Sequence, residues 1–229
     1  MNEFSSVGAA WVSLVKAVVR DGKPMGTEGL ELLGVTLALP AAPDGDLVLD
    51  RFGDATMIAE MKKVFFGGGV SALGHSYANL MRGPSGRNDL EDIIALLRAE
   101  PWSKRAVVIF CGLPDGEVPC INAVQFLLRE TLQTNYFARG QDAFAKFYAD
   151  ALCLGTLARK VAAGLGVATG TLSGFIGSCH VYHRDRPAVD RLIRQAKPYL
   201  RQSDERKGVL LHDREPKLDR LGHRGKGGS

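Results

Sequence analysis

Asp142 to Leu165 carry one long helical pattern, rich in Ala and Leu, closed by Gly166 and set between strand-like runs. Before it, Ala123–Glu130 and Leu132–Ala138 read as two limbs of a long hairpin turning at Glu130-Thr131; after it, Leu172–Tyr182 reads as another strand. Around these lie helical patterns over Val7–Arg20, Ala55–Phe66, Asp89–Ala99 and Arg186–Ala196, and strands over Leu30–Leu39 and Ala106–Cys111. Asp21-Gly22, Pro40, Gly67-Gly68-Gly69 and Pro101 punctuate them. Long antiparallel strands mixed with a few helices imply an α+β domain, here residues 1–201, followed by a charged tail over 202–229.

With 229 residues, 45% of them hydrophobic, the chain can bury one full core. No apolar run has the length of a membrane span, and no basic-then-apolar leader opens the sequence. The net charge of +4 is modest, and the basic residues of the tail alternate with Asp and Glu without interleaved aromatics, which argues against a nucleic-acid role. Cys111, Cys120, Cys153 and Cys179 lack CxxC spacing. That spacing argues against zinc, any other metal site or a disulfide framework, and it fits a reducing cytoplasm.

The chemistry concentrates in Val118-Pro119-Cys120, Gln125-Phe126 and Arg139-Gly140-Gln141-Asp142, with Ser178-Cys179-His180-Val181-Tyr182 downstream. A thiolate near an arginine is a candidate nucleophile, and a guanidinium holds phosphate through bidentate, charge-assisted hydrogen bonds. His180 and Tyr182 alternate about Val181, so they share one face of a strand.

From Gly22 to Ala196 the order of these motifs resembles the thymidylate synthase family. Pro101-x-Ser103-Lys104-Arg105 is similar to its P-x-S-R-R phosphate segment, and Pro119-Cys120 with Gln125-Phe126 to its P-C-H-x-x-x-Q-F nucleophile strand. Arg139-Gly140-Gln141-Asp142 resembles its R-S-x-D loop, His180-Val181-Tyr182 its H-x-Y contact, and Glu60 its catalytic glutamate. The resemblance implies a large mixed or antiparallel sheet with flanking helices, one sheet face forming a homodimer interface. It further implies 5,10-methylenetetrahydrofolate as cofactor and a pyrimidine nucleoside monophosphate as substrate. Cys120 then adds at C6, Glu60 assists proton transfers through water, Arg139 lowers the thiol pKa, and Asp142 contacts folate. Lys104 and Arg105, donated by the partner, hold phosphate with Arg139; Gln125, His180 and Tyr182 bind substrate, and Lys23 stands near a further phosphate position.

The departures are as informative as the matches. The family's uracil-reading asparagine falls on Asp150. A protonated carboxyl can give its O–H to cytosine N3 and accept from the 4-amino group, and an ionised one can pair with N3-protonated cytosine. Asp at this position resembles the cytidylate hydroxymethylases of the same superfamily. Gly140, Ile121 and Ser178 replace a serine, a histidine and an aspartate of the family pattern, and Lys104 replaces an arginine. No Trp lies between Glu60 and Trp102, and no apolar lid is recognisable in the tail, which favours capture of the exocyclic methylene by water over hydride. The expectation is a CMP or dCMP 5-hydroxymethyltransferase; a divergent dUMP methylase and a catalytically silent nucleotide-binding homologue stand as alternatives.

Overall fold

The computed structural model describes residues 2–41, 45–70, 76–82, 89–110 and 118–206, with side chains to residue 200. In chain order the elements are β1 (Asn2–Glu3), α1 (Val7–Asp21), β2 (Lys23–Met25), β3 (Gly29–Pro40), α2 (Leu47–Phe52), α3 (Ala55–Lys62), α4 (Tyr77–Leu80) and α5 (Asp89–Ala99). They continue with β4 (Val107–Ile109), β5 (Ile121–Leu128), β6 (Leu132–Asp142), α6 (Phe147–Leu165), β7 (Thr169–Tyr182) and α7 (Arg186–Arg206). The α+β organisation matches the sequence reading. Cys111, the last residue of one predicted strand, and 207–229 of the predicted tail lie outside the described residues.

The strands form one seven-stranded sheet in the order β1-β3-β7-β6-β5-β4, with β2 beside β3. β6 and β7 run parallel and are joined through α6, whereas β3–β7, β5–β6 and β4–β5 are antiparallel. A parallel pair needs a long crossover, which explains why the longest interior helix of the sequence sits between those two strands.

α1 buries Val7, Ala10, Trp11, Leu14, Val15 and Val18, a stripe at helical spacing, and packs with α6 against β3, β6 and β7. Ser6 accepts a hydrogen bond from the Ala9 N–H and caps the helix. The sheet packs tightly at Gly174, where an added Cβ would stand 2.3 Å from the buried Tyr136 ring. Gly174→Ala is therefore expected to destabilise the protein by about 1–3 kcal/mol, read as a lower denaturant midpoint at unchanged slope.

The feature that positions the site is a kink aligned across three strands. In β6 the buried side chains are Leu132, Thr134, Tyr136 and Ala138, then Gln141; in β7 they are Leu172, Gly174 and Ile176, then Cys179 and Val181. Alternation therefore slips at Arg139-Gly140 and at Gly177-Ser178, neighbours in register. In β3 the slip falls at Gly34, whose φ of 66° L side chains rarely adopt. Beyond the kink, Ser178, His180 and Tyr182 turn off the core face, and Gln141 turns onto it.

Several boundaries differ from the sequence pattern. The helical pattern from Asp142 begins as helix only at Phe147, because Gly140, Gln141 and Asp142 continue the ladder to β7. The pattern over Ala55–Phe66 is α-helical to Lys62 and then widens into a π-helical turn over Lys63–Gly67. α7 continues ten residues past Ala196, through Pro198, because Tyr199 still packs edge-on against Phe52 at 5.2 Å.

Candidate active site

One end of the sheet gathers most of the chemistry-bearing residues. β5 begins there just after Cys120, β6 and β7 end there at Asp142 and Tyr182, and β3 begins there near Glu31. Cross-strand pairing sets Lys23, Glu31, His180 and Asp142 in one row over four strands.

Cys120 is held by its surroundings on both sides. The Arg139 backbone N–H donates to the Cys120 carbonyl at 2.9 Å. The Arg139 guanidinium donates to the carbonyls of Val118 at 2.7 Å and Pro119 at 3.2 Å. Asn122 adds a bond from its amide to the Pro119 carbonyl at 2.9 Å. On the other side, the Tyr77 hydroxyl accepts from the Ile121 N–H at 3.1 Å, and its ring stacks on buried Phe65, 4.3 Å away.

Asp150 projects from the first turn of α6 and is buried. Gln141 donates to its Oδ2 at 2.8 Å, while Oδ1 has no hydrogen-bond partner among the described residues. Burial pushes its pKa up to about 6; the Gln141 bond and the Lys146 charge pull the other way. Burial also pushes the Cys120 thiol up, and the Asp150 charge pushes it further; Arg139 and Lys146 pull it down without prevailing. The sequence reading expected Arg139 to hold the thiol low. In the free protein, desolvation and a neighbouring carboxylate outweigh that cation. The Cys153 and Cys179 thiols are pushed up to about 12, chiefly by burial, and are core residues.

A folded-state pKa of about 6 on Asp150, above the ordinary carboxylate value, fixes the sign of a pH effect. The contribution is full below the ordinary value and is lost as pH rises through about 6. Wild type is expected to lose roughly 2 kcal/mol more than Asp150→Asn between pH 4 and pH 7. Urea denaturation of both proteins at the two pH values measures it.

His180 and Tyr182 meet edge to face at 5.1 Å, and Arg184 lies over the Tyr182 ring at 4.2 Å. The Cys120 and Asp142 charges both act on Tyr182, raising its pKa behind the larger effect of burial. Asp142 Oδ1 accepts from the Phe144 and Ala145 N–H groups at 3.0 and 2.9 Å, turning the chain toward α6. Trp11 anchors that turn by donating to the Phe144 carbonyl at 2.9 Å. Beside it lies a cavity of about 320 Å³ lined by Trp11, Phe52, Met57, Phe144 and Tyr148, with exposed Arg191 among its walls.

Other sequence-selected residues stand apart within the chain. Val107 pairs with Gln125, so Lys104 and Arg105, which precede it, lie more than roughly 17 Å along β5 from Cys120. Arg105 there binds Glu100 at 2.7 Å, and Gln125 donates to the Lys104 carbonyl at 3.0 Å. Glu60 is exposed on α3; among the described residues no hydrogen bond or ion pair joins it to Cys120 or Asp150. Lys23 is exposed on β2, at the far end of the cross-strand row.

Sequence reasoning passed over Lys146, Gln141 as a partner of Asp150, Tyr77 and Glu31. Lys146 lies four residues from both Asp142 and Asp150, a spacing that a helical reading of 142–165 could have used. For Tyr77 and Glu31 no local pattern signals the role, because their partners are 44 and 147 residues away.

The model of the thymidylate synthase family matches residues 58–210. Over 216 residues the chain is 24% identical to a "putative thymidylate synthase" of Methanothermobacter thermautotrophicus, spanning 84% of this chain and 97% of that one. A protein of the same description from Methanocaldococcus jannaschii is 33% identical over 125 residues, 49% of this chain and 56% of its own.

Proposed function

The chain belongs to the thymidylate synthase family, whose members are one-carbon transferases acting on pyrimidine nucleotides, and we propose that this one hydroxymethylates C5 of a cytidylate. The observation that carries the reading is Asp150: buried, held through Oδ2 by Gln141, with Oδ1 unpaired among the described residues and its charge acting on Cys120. A buried polar atom without a partner costs stability and fits a site completed by ligand.

With its pKa near 6, Asp150 shares one proton readily with cytosine N3 while an oxygen accepts from the 4-amino group. Uracil offers N3–H and O4, which leaves the carboxylate facing an acceptor. The same pairing activates the nucleophile. Once the Asp150 negative charge is shared with the base, one of the two main influences holding the Cys120 thiol up is removed. Cys120 sulfur then adds at C6, and C5 gains the electron density to attack carbon. Arg139 keeps Pro119 and Cys120 in place and presents its remaining N–H groups to the phosphate. His180 and Tyr182 take the sugar, and Glu60, exposed on α3 without a direct bond to Cys120 or Asp150 among the described residues, would act on the reacting atoms only through water.

The residues near Asp142 fit 5,10-methylenetetrahydrofolate. Asp142 Oδ2 makes no hydrogen bond among the described residues, and the neighbouring aromatic cavity suits an aromatic ring, with Asp54 and Arg191 both in its wall and Arg191 the cation available to an anionic tail. When bound, the cofactor supplies the one-carbon unit. Trp102 stands with Lys104 at the far end of the sheet, 73% exposed under Arg129, so it does not dry the Cys120 end of its own protomer. Water capture, giving hydroxymethyl, is the outcome supported by the lack of a tryptophan between Glu60 and Trp102 in the sequence.

A homodimer through the open sheet face completes the proposal. Phe175 and Phe137 stack there at 5.7 Å, in register with Ala123 and with Ile109, which is 62% exposed. A partner packed on that face would bring its Lys104 and Arg105 toward a site their own protomer cannot reach. Incubation with the folate and either CMP or dCMP is expected to release C5 tritium and yield the 5-hydroxymethyl nucleotide by mass. dTMP from dUMP as the main product overturns the cytosine reading, and no exchange with any pyrimidine nucleotide favours a silent homologue.

A further inference from the structure

We propose that Glu31, positioned by Ser178, reads the sugar of the bound nucleotide and makes the site select ribonucleotides over deoxyribonucleotides. The inference rests on the proposed function only in placing the sugar against His180 and Tyr182.

Glu31 on β3 is the direct cross-strand neighbour of His180 on β7, so their side chains leave the same face of the sheet. Neighbours of this kind have Cβ atoms roughly 5 Å apart, close enough for one small ring to touch both. Ser178, two residues before His180 and on its side of the strand, donates its hydroxyl to Glu31 Oε2. That bond orients the carboxylate and leaves Oε1 without a partner among the described residues. Lys23, the neighbour of Glu31 on β2, forms no ion pair with it among those residues.

The tautomer of His180 follows from the same strand. Its Nδ1 lies 3.3 Å from the Ser178 carbonyl. A carbonyl only accepts, so a hydrogen bond at this contact requires the Nδ1–H tautomer, the form in which Nε2 is an acceptor. The site therefore offers two acceptors side by side, His180 Nε2 and Glu31 Oε1. Two adjacent hydroxyls of a ribose can donate to both. A deoxyribose has one hydroxyl to give and leaves the other acceptor, most expensively the half-buried carboxylate, without a partner. The Ser178 hydroxyl also explains why a serine here is useful. An aspartate at that position would repel Glu31, whereas serine holds it.

The test crosses base with sugar. Binding of CMP, dCMP, UMP and dUMP is measured by calorimetry, and kcat/KM for whichever nucleotides turn over, in wild type, Glu31→Ala, Glu31→Gln and Ser178→Ala. Wild type is expected to favour the ribonucleotide of each base pair by on the order of 10²-fold. Glu31→Ala should lower that ratio at least about tenfold, with CMP losing more than dCMP. Glu31→Gln, which keeps an acceptor and the volume, should retain most of the preference, and Ser178→Ala should shift the ratio in the same direction as Glu31→Ala but less. A wild-type preference for deoxyribonucleotides, or a ratio unmoved in a folded Glu31→Ala protein, overturns the inference. Preference for uracil with the ribose bias intact would overturn the cytosine reading and leave this one standing. Failure to bind any of the four overturns both.

Discussion

Replacing Cys120 by alanine is expected to abolish tritium release from C5-labelled cytidylate, a fall on the order of 10³-fold or more. The hydrogen at C5 becomes labile only while a nucleophile is bonded at C6, so the exchange reports that bond directly. Cys120 is the candidate because it alone among the described cysteines is not buried; Cys153 and Cys179 have thiols pushed up to about 12. Cys120→Ser should be nearly as inactive, since a hydroxyl is a far poorer nucleophile than a thiolate. Nucleotide should still bind both variants, because Arg139, His180 and Asp150 are untouched. The backbone bond from Arg139 N–H to the residue-120 carbonyl is likewise independent of the side chain. Near-native exchange by a folded Cys120→Ala protein would remove the covalent mechanism.

The sequence carried the α+β class and the order of elements because both follow from local periodicity. Alternation marked β7 and the Ala- and Leu-rich run marked α6. The kink was invisible: it depends on Gly34, Arg139-Gly140 and Gly177 standing in register across three strands, which no single segment records. That slip is why β6 runs four residues past Ala138 and why Gln141 turns inward to Asp150. Motif order selected Cys120, Arg139, Asp142, Asp150, His180 and Tyr182, and these gather at one end of the sheet. It also selected Lys104, Arg105 and Gln125, whose motif spacing is the same in any assembly; only the register of β4 on β5 puts them at the other end. The balance at Cys120 was out of reach as well. Spacing supplied a cation nearby, but not the depth of burial or the Asp150 charge that outweigh it.

Asp150→Asn is expected to reverse the base preference, changing the ratio of kcat/KM for cytosine over uracil nucleotides by roughly 10³- to 10⁴-fold. An amide offers N–H to O4 and a carbonyl to N3–H, the complement of uracil, and it cannot supply the proton that cytosine N3 requires. The fold should tolerate the change, because Asn has the shape of Asp and carries no buried charge. Gln141 can keep its bond by donating to the new carbonyl oxygen, in place of the carboxylate it holds at 2.8 Å. A second consequence separates base reading from simple damage. Removing the Asp150 charge takes away the second-largest influence raising the Cys120 pKa. Cys120, followed by peptide mapping, should therefore alkylate with iodoacetamide at lower pH in the variant than in wild type. A faster thiol together with a switch from cytosine to uracil is the signature of a carboxylate that both reads the base and restrains the nucleophile. Equal loss on both bases, with the alkylation profile unmoved, would mean that Asp150 only packs the start of α6, and the cytidylate assignment would fall with it.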